Sequence, residues 1–148
     1  MIPKRKPTRI PNYDYATPNY YFVTICCHEK ACIFGSVDQL NRYGKIVKAY
    51  LEHITSVFPG IIVDKAVIMP NHVHAIVVLQ DDGINLSTVI GQYKSAVTKR
   101  IRENEPGKIV WQRSFHDHII RNQEGYERIW SYIDTNRYRW KDDKFYVE

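Results

Sequence analysis

The sequence has few cysteines, and the three it has, Cys26, Cys27 and Cys32, lie close together. Three thiols cannot all pair with one another, so we expect a reduced, cytosolic chain. Cys27 and Cys32 do not have the spacing of a zinc ribbon, and the sequence contains no second cysteine pair that would complete such a site. These absences argue against a structural zinc site.

Long apolar runs are also missing from the sequence. No segment approaches the roughly 20 apolar residues that a membrane-spanning helix needs, so we expect no membrane partner. The basic N-terminus is not followed by the apolar stretch of a signal peptide. We expect a single domain over residues 1–148, in which residues 1–19 form an extended basic arm interrupted by prolines.

Positive charge and tyrosine are the features that the composition does contain. The formal net charge is +5, eleven residues are tyrosine, and 13 % of the chain is aromatic. Aromatic rings among lysines and arginines are typical of proteins that stack bases and follow a single-stranded backbone. Tyrosine is also common in half-buried strands. The composition leaves both interpretations open.

Four segments are predicted to be strands because they are short, rich in β-branched and aromatic residues, and bounded by turn residues. They are residues 20–28, 61–69, 72–79 and 111–121. Pro70 and Asn71 are predicted to form the turn of a hairpin between the second and third of these strands.

Three helices are predicted from apolar residues that recur at helical spacing. The first begins at a capping box formed by Ser36 and Gln39 and ends at Pro59-Gly60. The second has apolar residues at Leu86, Val89, Ile90, Tyr93 and Val97, and the third, after an Asn122 cap, at Tyr126, Ile129, Trp130 and Ile133. The order βαββαβ with an added C-terminal helix predicts an α+β chain with a ferredoxin-like antiparallel sheet.

A His-Val-His triplet begins the third predicted strand. Residues two apart on a strand point to the same face, so His72 and His74 project together while Val73 faces the other way. Two adjacent imidazoles on a rigid strand make a natural pair of ligands for a divalent metal. The alternative interpretation is two ordinary histidines at the end of a strand.

A second histidine pair has the same spacing. His116 and His118 lie two apart on the fourth predicted strand, and spacing alone does not favour either pair. If the two strands are neighbours, all four imidazoles could share one sheet face. A site of four histidines without a carboxylate would suit a transition metal and not Mg²⁺.

Two polar side chains share one side of the last predicted helix. Tyr132 lies off the apolar face, and Asn136 follows it by one helical turn. A phenol and an amide in this register could serve as a nucleophile and as a metal or phosphate ligand. Alternatively, Tyr132 is a boundary residue whose hydroxyl lies in water. Lys94 and Arg102 form a basic stripe on the second helix.

Several blocks of sequence, taken together, resemble a known family. They are PNYDY (11–15), YFVTIC (21–26), VIMPNHVH (67–74), IGQYKS (90–95), WQRSF (111–115), IIRN (119–122) and Tyr132-Ile133 with Asn136. In this order and spacing they resemble the IS200/IS605-like tyrosine transposases of the HUH class, named for histidine, hydrophobic residue, histidine. The branch that the chain resembles most is that of the REP-associated tyrosine transposases.

The resemblance implies a role for individual residues. His72 and His74 would bind Mg²⁺ or Mn²⁺, and Tyr132 would be the nucleophile. Asn136 would complete the metal site, at a position where relatives often carry the longer Gln. His116 and His118 would have a supporting or DNA-contacting role.

The resemblance also implies an activity. The chain would cut single-stranded DNA beside a hairpin, form a 5′-phosphotyrosine intermediate, and take part in DNA transposition as a monomer or homodimer in the bacterial cytoplasm, at the nucleoid. The cations expected to contact DNA are Arg5, Lys6, Lys94, Arg102, Arg137 and Arg139. The alternatives are an inactive relative that only binds hairpin DNA, and an unrelated metal enzyme that uses His116 and His118.

Overall fold

A computed structural model describes residues 19–80 and 83–147. Within these residues the strands are β1 (Asn19–Cys26), β2 (Ile61–Met69), β3 (His72–Leu79) and β4 (His116–Ile120). The α-helices are α1 (Arg42–Glu52), α2 (Ile54–Val57), α3 (Leu86–Arg102) and α4 (Gln123–Thr135), and two 3₁₀ segments span His28–Lys30 and Asn136–Asp142. Arg5, Lys6 and the predicted arm, apart from Asn19, lie outside the described residues.

The four strands form one antiparallel sheet in the order β2-β3-β1-β4. The hairpin that joins β2 to β3 turns at Pro70 and Asn71, as predicted. The two longer connections, β1 to β2 and β3 to β4, contain helices, and α4 follows the last strand. This arrangement confirms the predicted ferredoxin-like α+β fold with an added C-terminal helix.

Alternation along β3 divides the molecule into two layers. Val73, Ala75, Val77 and Leu79 belong to a large core that is shared with α1 and α3. Ile76 points to the opposite face, where it packs with Ile120 and with Ile133 of α4. Both faces of β3 are therefore covered, and all of its residues are buried. His72 and His74 lie on the α4 face, because they share the parity of Ile76.

The first helix begins later than its predicted capping box. Ser36 and Gln39 close a turn instead, in which the Gln39 N–H donates to Ser36 Oγ and the Ser36 N–H donates to the Gln39 carbonyl. Asn41 is the actual cap, since its side-chain oxygen accepts from two N–H groups of the first turn of α1. The predicted single helix also breaks at His53, and α2 follows as a separate turn.

The last strand is shorter than predicted. Trp111 forms only an isolated bridge with Cys27, and β4 starts at His116. Ser114 adopts a left-handed backbone conformation with φ of 64°, which interrupts the extended chain. The first strand is also shorter, because the chain turns into a 3₁₀ segment at His28.

Helix α4 begins where the sequence indicated. Asn122 caps it by accepting a hydrogen bond from the Gly125 N–H. Trp130, predicted to lie on the apolar face, is at the rim with the Lys65 ammonium 4.0 Å from its ring centroid. Of the helices in the described ranges, none combines the length and apolar character needed to cross a membrane.

Candidate metal and tyrosine site

The two imidazoles of the His-Val-His triplet lie side by side beneath the C-terminal segment. Their ring centroids are 4.5 Å apart, and the exposed fractions of His72 and His74 are 0 % and 2 %. Phe145 covers both rings, with its centroid 4.7 Å from His72 and 6.2 Å from His74. The Nε2 atoms of both histidines are buried and have no hydrogen-bond partner among the described residues.

The other ring nitrogen of each histidine is hydrogen-bonded. His72 Nδ1 lies 2.8 Å from Asn71 Oδ1, and His74 Nδ1 lies 2.8 Å from Thr24 Oγ1. Thr24 pairs directly with His74 across β1 and β3. These contacts orient both rings, and Nε2 is the nitrogen that each ring has left for a ligand.

Asp143 is the acidic member of the site. Its side chain is fully buried, and its Oδ2 lies 3.5 Å from His72 Nε2. The ligand atoms of His72, His74 and Asp143 all lie within 4.8 Å of one another. The sequence interpretation missed this residue, because Asp143 lies in a tail whose composition is basic and aromatic and which shows no ligand spacing.

Asn136 reaches the site from the end of α4. It is 2 % exposed, and its Nδ2 donates to Asp143 Oδ2 over 3.0 Å. Its Oδ1 is the third buried polar atom without a hydrogen-bond partner in the described part of the chain. The Phe145 N–H donates to the other carboxylate oxygen of Asp143 over 2.8 Å.

This donor set fits a divalent cation. Buried polar atoms ordinarily have hydrogen-bond partners, and here three atoms without one belong to residues that meet at a single carboxylate. Two imidazole nitrogens, a carboxylate and an amide oxygen are ligands that Mn²⁺ accepts, whereas Mg²⁺ prefers oxygen alone. Cys26 pairs with His72 on the neighbouring strand, but burial raises the pKa of its thiol to about 11, which disfavours the thiolate that a metal would need.

The electrostatics of the site favour a neutral imidazole beside an ionised acid. Burial, followed by the charge of His72, lowers the pKa of His74 to about 3. Burial by itself would raise the pKa of Asp143, but the nearby ring of His72 and the hydrogen bond from the Phe145 N–H outweigh it and hold that pKa below its usual range. Metal binding requires these same protonation states.

Tyr132 lies at the mouth of the site. Its ring centroid is 5.4 Å from His74 and 6.2 Å from Phe22, and 36 % of the residue is exposed. Burial and the charge of Asp143 raise the pKa of the Tyr132 phenol, while Asn136 and Arg139 act in the opposite direction. The phenol is therefore protonated at neutral pH, and it lies both against the imidazole of His74 and in contact with solvent.

The second histidine pair shares the sheet face but not the site. Thr24 of β1 pairs with His74 on one side and with His116 on the other, so β1 separates the two histidine strands by a total of roughly 10 Å. His116 and His118 are exposed. Across residues 19–80 and 83–147, the one cluster with three possible metal ligands is that of His72, His74 and Asp143.

Three of the cations predicted to contact DNA bind loop carbonyls. Lys94 Nζ donates to the carbonyls of residues 112 and 114 over 2.7 and 2.9 Å. Arg102 Nε donates to the Lys108 carbonyl over 2.9 Å, and Arg137 donates twice to the Val37 carbonyl. Arg139 is exposed and close enough to Tyr132 to influence its pKa.

Comparisons with known proteins agree on one family. The family model described as "Transposase IS200 like" matches residues 15–136. An uncharacterized protein of Haemophilus influenzae is 33 % identical to the chain, over 99 % of this chain and 96 % of its own length. A second protein of that organism, provisionally named a REP-associated tyrosine transposase, is 23 % identical over 83 % of this chain and 72 % of its own length.

Solved structures share the fold. A REP-associated tyrosine transposase bound to a REP hairpin superposes with a TM-score of 0.70 and 20 % identity, and the match covers 88 % of this chain and 73 % of that one. A provisionally assigned transposase from Deinococcus radiodurans superposes with a TM-score of 0.58 and 16 % identity, covering 86 % of this chain and 95 % of that one.

Proposed function

The chain belongs to the IS200-like transposase family, and on that premise we propose that it cuts and rejoins single-stranded DNA at hairpins through a covalent bond to Tyr132. The observation that carries the proposal is the meeting of a tyrosine with a buried cluster of two imidazoles and a carboxylate. A nucleophile beside a site for a divalent cation is what phosphodiester cleavage needs.

His72, His74 and Asp143 would hold the metal through their side-chain nitrogen and oxygen atoms. A divalent cation held there would supply Lewis-acid chemistry, since it would polarise a phosphate oxygen and offset its negative charge. Asn136 would have two roles. Its Nδ2 donates to Asp143 and holds the carboxylate, and its Oδ1, which has no hydrogen-bond partner among the described residues, would be a further ligand. This mixed nitrogen and oxygen set leads us to expect stronger binding of Mn²⁺ than of Mg²⁺.

Tyr132 would carry out the covalent step. Its phenolic oxygen attacks the scissile phosphorus, the bond from phosphorus to the 3′ oxygen breaks, and the 5′ phosphate remains on the tyrosine. The phenol loses its proton, and the departing 3′ oxygen takes one up, so the exchange balances. The reverse attack by a 3′-hydroxyl restores the tyrosine and joins the strands without ATP.

One chain supplies every part of the proposed site. The ring of Tyr132 contacts His74 of the same chain, and α4 packs on its own sheet through Ile133. We therefore propose that the monomer is competent, without exchange of the tyrosine helix between subunits.

Hairpin DNA is the substrate that the family and the fold support. The REP-associated transposase with the same fold is bound to a REP hairpin. Arg139, exposed beside Tyr132, would contact the phosphate backbone near the cut. Lys94, Arg102 and Arg137 would shape the loops around the strand, and the predicted contacts of Arg5 and Lys6 remain predictions.

The proposal is tested with a labelled single-stranded hairpin taken from the DNA that flanks the gene. With Mn²⁺, the wild-type protein should give a protein–DNA adduct that resists denaturation, and Tyr132→Phe should give none. Tyr126→Phe is the matched control, since Tyr126 lies on the same helix but its hydroxyl bonds to Asp64. This control should retain the adduct.

Two outcomes would contradict the proposal. An adduct that persists in Tyr132→Phe would place the nucleophile elsewhere. Hairpin binding by the wild-type protein without cleavage, whatever the metal, would support the alternative of an inactive DNA-binding relative.

A further inference from the structure

Asn71, the residue before the His-Val-His triplet, is buried and uses both ends of its amide. Its Nδ2 donates to the Phe145 carbonyl over 2.8 Å and to the Lys30 carbonyl over 3.2 Å. Its Oδ1 lies 2.8 Å from His72 Nδ1. The side chain therefore links three separate parts of the chain, at an exposed fraction of 1 %.

The two carbonyls determine which way the amide faces. Carbonyl oxygens only accept hydrogen bonds, so the NH₂ group of Asn71 must point toward Phe145 and Lys30. Rotating the amide by half a turn would place Oδ1 against these two carbonyl oxygens in a buried place. Oδ1 and both carbonyls would then lack a hydrogen-bond donor. The oxygen of Asn71 is therefore directed at His72.

This orientation determines where His72 carries its proton. An amide oxygen can only accept, so His72 Nδ1 must donate and must be protonated. In the neutral ring, the lone pair then lies on Nε2, the atom that faces Asp143. His74 differs, because its partner Thr24 Oγ1 can either donate or accept and does not by itself select a tautomer.

The same amide also reaches the carboxylate of the site. Asn71 holds the carbonyl of Phe145, and the N–H of Phe145 holds Asp143 Oδ1. The other carboxylate oxygen, Oδ2, is the one that lies 3.5 Å from His72 Nε2. The contacts close a ring from one nitrogen of His72, through Asn71, Phe145 and Asp143, to its other nitrogen.

We propose that Asn71 is a positioning residue that presents His72 Nε2 and Asp143 to the metal together, by fixing the imidazole tautomer and the backbone of the C-terminal segment. The inference rests on the proposed metal-dependent function for its purpose, but the tautomer and the tether are properties of the metal-free chain. Partners of this kind, which hold a ligand from behind, typically change metal affinity by about 10- to 100-fold when they are removed.

The first test is the protonation of His72 in the wild-type protein without metal. Nitrogen-15 NMR of histidine-labelled protein in EDTA distinguishes a protonated from an unprotonated ring nitrogen, and His72→Gln assigns the resonances. We expect His72 Nδ1 to be protonated in essentially every molecule. An unprotonated Nδ1, or a mixture of tautomers, would overturn the inference.

Two variants separate the two parts of the role. Asn71→Asp keeps an acceptor for His72 Nδ1 but loses the donors to Phe145 and Lys30, so it should retain the tautomer and speed the amide exchange of Phe145. Asn71→Ala loses both contacts, and should give mixed tautomers, fast exchange at Phe145, and Mn²⁺ binding weakened about 10- to 100-fold.

Asn85→Ala controls for a general loss of stability. Asn85 caps α3 at an exposed position, where its side-chain oxygen accepts from the N–H groups of Ser87 and Thr88. This variant should leave the His72 tautomer, the exchange of Phe145 and the Mn²⁺ affinity unchanged. Equal loss of Mn²⁺ affinity in Asn71→Ala and Asn85→Ala would mean that Asn71 acts only through stability.

Failure of the metal proposal is distinguishable from failure of this inference. If wild-type protein binds no Mn²⁺ while His72 Nδ1 is protonated and Phe145 is protected, the metal proposal fails, whereas the tautomer and the backbone tether assigned to Asn71 stand. If Mn²⁺ binds tightly but Asn71→Ala changes neither tautomer nor affinity, the positioning role is refuted.

Discussion

Acid should destabilise the metal-free protein because His74 is buried in its neutral form. Burial, and then the charge of His72, lowers the pKa of His74 to about 3 in the folded chain, against 6.5 for the free side chain. Between these two values the unfolded chain binds a proton that the folded chain does not. The free energy of unfolding therefore falls as the pH falls from about 6.5 toward 3.

The magnitude follows from one proton. A difference of one bound proton changes the free energy of unfolding by about 1.4 kcal/mol per pH unit. Between pH 6.5 and pH 4.5, the loss should amount to about 2 kcal/mol, a considerable part of the roughly 5–15 kcal/mol of a typical domain. Asp143 acts in a lower window: its depressed pKa gives stability that is present above its ordinary value of 3.8 and is lost below it.

The assay is urea denaturation at a series of pH values in the presence of EDTA. The dependence on pH should be steeper for wild type than for His74→Gln, with a difference that approaches one proton near pH 5. His118→Gln, which removes an exposed histidine from the same sheet face, is the matched control. Parallel curves for wild type and His74→Gln would refute the assignment of His74 as a buried neutral group.

Three further substitutions test how the site is supported. Asn122→Ala removes the cap of α4 and should cost about 1 kcal/mol in thermal denaturation, and an unchanged melting temperature would contradict this. Ile133→Ala should cost about 2–5 kcal/mol and lower adduct formation, because α4 packs on the sheet through this residue; full adduct formation would contradict that coupling. Lys94→Met should cost about 1–3 kcal/mol and speed amide exchange around Ser114, since it leaves two carbonyls without their donor. Unchanged exchange there would show that the ammonium does not hold the loop.

The fold could be predicted because its signals are periodic. Alternation along residues 72–79 assigns one set of side chains to each sheet face, and the structure places Val73 and Ile76 in different clusters as that period requires. The hairpin turn and the Asn122 cap were equally clear, since each depends on one or two residues with strong local preferences.

Element ends were predicted less well, because several residues compete for the same role. Ser36 and Gln39 match a capping box, but Asn41 forms two backbone hydrogen bonds at the true start of α1. The strand predicted to begin at Trp111 is interrupted by a loop in which the carbonyls of residues 112 and 114 accept hydrogen bonds from the Lys94 ammonium. Lys94 lies 20 residues before Ser114 in the sequence. No local pattern contains that contact.

The candidate site, like the fold, could be predicted only in part from the sequence. His72, His74, Tyr132 and Asn136 come together in the structure, and the roles assigned to them remain proposals. Asp143 was not predicted, because its contribution depends on the C-terminal segment folding back onto β3, a contact between residues 71 positions apart. Spacing rules apply within one element and do not detect a ligand that arrives from elsewhere.

The most direct test of the account is to locate the covalent bond by mass spectrometry. Wild-type protein is incubated with its hairpin DNA and Mn²⁺, treated with nuclease and protease, and searched for a tyrosine peptide that carries a nucleotide. The account predicts the modification on Tyr132, with none when EDTA replaces Mn²⁺. A nucleotide on another tyrosine, or on Tyr132 without any divalent metal, would contradict it.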